Sequence, residues 1–83
     1  MKVKVKLFAM LDQYLPRDAV DSQAEIEIED DATAEDVIAK LNLPQDLCHL
    51  VLVNGSYLER DERGTRPLTP TDVLAIWPPI AGG

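Results

Sequence analysis

The chain opens on strict alternation. Val3, Val5 and Leu7 fall on one side and Lys2, Lys4 and Lys6 on the other, the period-two signature of a half-buried strand. Met10, Leu11, Tyr14 and Leu15 then recur at helical spacing until Pro16 stops them, which predicts one or two helical turns. Arg17 to Ser22 is polar and reads as a loop. Alternation returns over Gln23 to Glu29, with Ile26 and Ile28 opposite Glu25, Glu27 and Glu29, a second strand with a wet outer face. Thr33 opens the principal helix. Thr33 and Asp36 stand at capping-box spacing, Glu35 and Asp36 suit the positive end of the dipole, and Val37, Ile38 and Leu41 form the apolar stripe. Asn42 and Pro44 end it.

Leu50 to Val53 is apolar throughout and is followed by Asn54-Gly55, a strong tight-turn signal, after which Tyr57-Leu58 predicts a short strand. Glu59 to Gly64 is highly charged and is expected to be a mobile loop. Leu68 returns to the core before the polar turn Thr69 to Asp72. Val73 to Trp77 is the last strand, closed by Pro78-Pro79, since proline cannot donate to a ladder. There is no internal repeat. The expectation is one α+β domain over residues 1–83. Placing the first and last strands side by side, under one main helix on one sheet face, gives a ubiquitin-like β-grasp, one choice among several small α+β folds that the pattern allows. Its mixed sheet would have four to five strands, with a short helix after the first and a flexible tail at 80–83.

Composition narrows the function. Of 83 residues 46% are hydrophobic, which supports a packed core rather than disorder. A formal net charge of −7 disfavours binding to phosphate backbones, so no nucleic-acid partner is expected. No apolar run approaches the roughly 20 residues of a membrane span. The lysine-alternating start lacks the continuous apolar block of a signal peptide, and a cytoplasmic protein is expected. With one cysteine no internal disulfide forms, and no Cys/His cluster has metal-ligand spacing.

Chemistry concentrates at the C-terminus. The chain has no phosphate-cradling glycine loop, so it is not expected to bind a nucleotide phosphate itself. A tail entering another protein's active site must be thin, and Gly82-Gly83 carries no side chains and few forbidden backbone angles. Pro78-Pro79 stiffens its base. Two terminal glycines arise by chance about once in 200 chains, so the pair gains its weight from the prolines and the fold pattern beside it.

Ala75-Ile76-Trp77-Pro78-Pro79-Ile80-Ala81-Gly82-Gly83 resembles the C-terminus of the small subunit of molybdopterin synthase, a family that, like the related thiamine sulfur carrier, ends a β-grasp in Gly-Gly. Val5-Lys6-Leu7-Phe8-Ala9, Val53-Asn54-Gly55, and Leu68 with Asp72-Val73 match in order. The resemblance implies a sulfur carrier that is not itself an enzyme. An activating enzyme would use ATP and magnesium to adenylate the Gly83 carboxylate. Sulfur would then displace AMP, and the thiocarboxylate would deliver it to a cofactor precursor on the large subunit of the synthase or another acceptor enzyme. No cofactor would stay bound to the carrier, and Gly83 with Gly82 would be the reactive site. Cys48-His49 and the charged stretch Leu58 to Arg66 depart from the pattern and leave the final acceptor open. A carrier for thiazole or an amino acid, a ubiquitin-like modifier joined through Gly83 to lysines, and a plain interaction module are the alternatives.

The remaining candidates have plainer readings. Cys48 reads as a small buried hydrophobe rather than a persulfide site, and His49 as a strand-end surface residue. Glu25, Glu27, Glu29, Asp30 and Asp31 read as a solvated face rather than a dock for a basic partner. Arg60, Arg63 and Arg66 read as solvated within their charged loop. Val73, Ala75 and Trp77 share one face of the last strand and Leu74 and Ile76 the other. One helix covers one face, so the second needs either the short helix or a partner protein, and Trp77, Pro78, Pro79, Ile80 and Ala81 are expected to meet that partner.

Overall fold

The computed structural model describes residues 1–79. Its strands are β1 (Lys2–Leu7), β2 (Gln23–Glu27), β3 (Leu50–Val53), β4 (Ser56–Tyr57) and β5 (Val73–Trp77), with one α-helix, α1 (Ala34–Lys40). They form a single five-stranded sheet in the order β2-β1-β5-β3-β4. The first and last strands are parallel neighbours, Val5 beside Leu74 and Leu7 beside Ile76, and the other pairings are antiparallel. This is the expected β-grasp, in which the last strand is central and is followed by Pro78-Pro79.

The alternation of β1 becomes burial as the sequence predicts: Val3, Val5 and Leu7 are fully buried while Lys2 and Lys4 are exposed. Val51 and Val53 of β3, Leu74 and Ile76 of β5 and Ile26 of β2 fall on the same face in register. With Val37 and Ile38 of α1 they belong to one core. Removing each such aliphatic side chain from water contributes about 1.5–3 kcal/mol, the driving force that outweighs chain entropy in a domain this small.

The helix begins on the predicted capping box. Thr33 Oγ1 accepts from the Asp36 amide at 3.4 Å, and the Asp36 carboxylate accepts from the Thr33 amide at 2.9 Å. It ends where Asn42 turns left-handed at φ +60°. Asn54 (φ +53°) and Gly55 (φ +83°) make the tight turn between β3 and β4, both in the left-handed region that a two-residue primed turn requires.

Four details differ from expectation. β2 closes at Glu27 instead of Glu29, although Ile28 beyond it is still buried. The short strand after the turn is Ser56–Tyr57, and Leu58 drops out of it into the core. The helical turns after β1 are a 3-10 helix over Ala9–Tyr14. At three residues per turn Phe8, Leu11 and Tyr14 align, which is why Leu11 is buried and Met10 is 53% exposed. Finally, Glu59 to Gly64 is built rather than loose. Arg60–Glu62 forms a 3-10 turn in which the Glu62 carboxylate accepts from the Glu59 amide at 3.0 Å, and Arg63 is 4% exposed. The spacing of Glu59 and Glu62 was the available signal, hidden within a run of charges.

Candidate functional site

The site is assembled around the C-terminal end of β5, where the tail departs. Neighbouring strands hold that end on both sides. The Phe8 amide donates to the Ile76 carbonyl at 3.1 Å, and the His49 amide donates to the Trp77 carbonyl at 3.0 Å. Phe8 and Trp77 stack nearly parallel, ring centroids 3.9 Å apart and planes within 2°. Just after Phe8 the chain turns at Ala9, whose φ of +54° is left-handed and costs about 1–2 kcal/mol for a residue with a Cβ. Beyond the strand Pro78 is buried and Pro79 exposed, so the proline pair both packs and projects. Ile80, Ala81, Gly82 and Gly83 lie outside the described residues.

Register places Val73, Ala75 and Trp77 on the sheet face away from α1, with Leu50 and Leu52 of β3 and Tyr57 of β4 alongside them. Val73, Trp77, Leu50 and Leu52 are half-buried and Tyr57 is 49% exposed. On the other half of this face Lys2 stands opposite Glu27 and Lys4 opposite Glu25. The 3-10 helix does not supply a cover, because Leu11 joins the core shared with α1. The outer face is therefore an apolar strip at the tail root beside a band of paired charges.

The start of β5 is fixed by a polar network that joins residues distant in sequence. The Asp72 carboxylate accepts from the Asn54 side-chain amide at 2.8 Å and from the Thr69 backbone amide at 2.8 Å, and Arg66 approaches it at 3.6 Å. Asn54 in turn accepts from the Val73 amide at 2.8 Å, closing the loop onto the strand. Burial opposes ionisation of Asp72, but these donors and Arg66 together outweigh it and hold the carboxyl below its ordinary range.

Cys48 is buried, as expected, and its thiol donates to the Pro44 carbonyl at 3.4 Å. Burial pushes the thiol upward, with Arg63 opposing and Asp46 assisting, so it stays protonated near neutrality and is poorly suited to carry sulfur. His49 is exposed, also as expected. Arg63 is the residue the sequence reading missed. One of its terminal nitrogens donates to the Cys48 carbonyl at 2.9 Å and the other to the His49 carbonyl at 3.1 Å. Among the described residues no three His, Cys, Asp or Glu side chains are arranged to hold a metal ion, and no helix is long and apolar enough to cross a membrane.

A model of the ThiS family matches residues 5–83. Among solved structures, the Haloferax volcanii protein HVO 2177 superposes with a TM-score of 0.77 at 24% identity, covering 100% of this chain and 87% of that one. A candidate molybdopterin converting factor subunit 1 from Pyrococcus furiosus gives 0.67 at 28% identity, covering 95% and 98%. A chain of the complex of molybdopterin-converting factor subunits 1 and 2 from Helicobacter pylori gives 0.61 at 20% identity, covering 100% of this chain and 100% of that one. No curated protein matches the chain significantly.

Proposed function

The chain belongs to the ThiS family, and from that premise we propose that it carries sulfur as a thiocarboxylate on Gly83 for the synthesis of a molybdopterin-type cofactor. The observation that carries the reading is the family match running to Gly83, in a fold whose central strand ends in Pro78-Pro79 immediately before that tail. A Gly83 carboxylate oxygen attacks the α-phosphate of ATP on a partner enzyme, with pyrophosphate leaving to magnesium. A sulfur nucleophile then attacks the acyl carbon and AMP leaves with the oxygen. The carrier contributes the acyl group, its delivery and its docking surfaces, and the catalytic groups belong to the partners.

The likeness to the Pyrococcus furiosus protein supports the cofactor assignment, and the two-subunit Helicobacter pylori complex supports a large-subunit acceptor. ATP-dependent activation suits the cytoplasm. The buried, protonated Cys48 leaves Gly83 as the sulfur site. Intact mass of the protein purified from its own cells tests this. The expected result is a fraction heavier by one oxygen exchanged for sulfur, localised to the C-terminal peptide. Conjugates joining Gly83 to lysines without such a fraction would support a protein modifier, and neither species would sink both readings.

The apolar strip at the tail root is the docking surface on this reading. Trp77→Ala is expected to weaken binding to the large subunit by about 1–3 kcal/mol, the loss typical of an aromatic anchor. Because Trp77 is only half-buried, its fold cost is expected to be smaller, chiefly the Phe8 stack at about 0.5–1.5 kcal/mol. Titration calorimetry beside thermal unfolding separates the two losses.

A further inference from the structure

Among the described residues, Arg63 is a buried cation without a carboxylate partner. Its guanidinium is held by two neutral carbonyls, those of Cys48 and His49, and its Nε has no hydrogen-bond partner among those residues. Burying a charge on such terms is costly, and an apolar side chain of similar size would commonly serve stability as well or better. What the arrangement provides is placement. Cys48 and His49 precede β3, which begins at Leu50, and Cys48 has irregular dihedrals of φ −89° and ψ 73°. The regular β3–β5 ladder ends at the Leu50–Trp77 pair, and His49 lies just beyond it.

His49 is nevertheless the residue whose amide grips the Trp77 carbonyl, and Trp77 is the last residue of β5. On the β1 side the matching bond ends one residue earlier, at Ile76. Arg63 is itself anchored at its backbone, where its carbonyl accepts from the Glu35 amide at 2.9 Å in the first turn of α1. A continuous set of hydrogen bonds thus runs from the start of α1, through the Arg63 side chain, to the carbonyl from which the tail departs.

We propose that Arg63 is a positioning residue: its planar fork holds the Cys48 and His49 carbonyls so that the His49 amide fixes the point and direction at which the C-terminal tail leaves the sheet. The geometric part stands on the contacts alone, and its consequence for Gly83 chemistry rests on the sulfur-carrier reading. Lysine cannot reproduce the fork, since a single ammonium lacks the paired, coplanar donors that span two carbonyls. Charge alone is therefore insufficient, and Arg63→Lys should fall between wild type and Arg63→Met.

Two measurements test this. By amide hydrogen exchange, Arg63→Met should speed exchange of the His49 amide about tenfold more than that of amides in the middle of β1 and β5, because loss of a local clamp opens locally. A merely structural role would speed all of them together, as a core substitution such as Ile38→Ala should. In ATP–pyrophosphate exchange with the adenylating enzyme of the same cells, Arg63→Met should lower kcat by about tenfold or more while KM stays within about twofold, the mark of a misplaced reacting group on a docked carrier. If Arg63→Met fails to fold, the Arg63→Lys variant should show the same pattern at reduced size. His49 exchange that merely follows the core, or an unchanged kcat in a folded variant, would overturn the proposal. A wild-type chain that draws no pyrophosphate exchange would instead defeat the carrier reading, and His49 exchange would still decide the clamp.

Discussion

A chain extended by one residue beyond Gly83 is expected to unfold like wild type and yet be adenylated at least about a hundredfold more slowly. The reaction requires a terminal carboxylate oxygen held near 3 Å from the α-phosphate, and a displacement of about 1 Å can cost roughly a hundredfold. One added residue moves the terminal carboxylate by about 3.5 Å and turns the Gly83 carboxylate into an amide, whose oxygen is a far weaker nucleophile. Gly82→Val should act in the same direction. It adds a branched side chain where a narrow channel is expected and forbids most of the backbone angles open to glycine. Neither change touches the core formed by the described residues, so stability should stay within about 0.5 kcal/mol of wild type. ATP–pyrophosphate exchange beside a thermal melt checks both halves. Normal exchange by the extended chain would overturn the assignment of the acyl site to Gly83.

The second large effect is on the fold. Leu74→Ala should destabilise the protein by about 2–5 kcal/mol. Leu74 is fully buried on the central strand, between Val5 of β1 and Val53 of β3, and faces the core that α1 shares. A cavity there cannot be closed by a surface loop, because sheet neighbours fix both sides of the strand. An 83-residue domain has a small reserve of stability, so the loss is a large part of the total and should lower Tm by about 10 °C or more. Val73→Ala, one residue away on the half-buried outer face, should cost much less. Equal losses at the two positions would contradict the assignment of faces. The outer face would then be as much core as the inner one, and the docking role of Trp77 would lose its basis.

The same periodicity that makes Leu74 costly made most of the fold legible. A strand repeats every two residues and a helix about every 3.6, so Lys2 to Leu7, Ile26 with its flanking glutamates, and Val37, Ile38 and Leu41 announced their own environments. Thr33 with Asp36, and Asn54-Gly55, announced their turns because capping and tight-turn chemistry are local. The turns after β1 were legible as helical, but 3.0 and 3.6 residues per turn are hard to separate over six residues, so the exposure of Met10 beside the buried Leu11 was not legible.

The sequence alone therefore determined the elements, the buried faces of β1 and β2 and the Gly82-Gly83 tail on which the functional proposal turns. Each of these depends on residues near one another in the chain or on a motif written contiguously. What only the tertiary structure decided lies between distant segments. Asn54 meets Asp72 across 18 positions, Phe8 stacks on Trp77 across the parallel β1–β5 pairing, and Arg63 crosses 14 to 15 positions to the carbonyls of Cys48 and His49. In sequence Arg63 lies in a charged run that reads as solvated. Its burial follows only once the α1 start and the β3 entrance are brought together around it, because the sequence pattern does not specify which backbone carbonyls will be close enough to desolvate and hold a guanidinium.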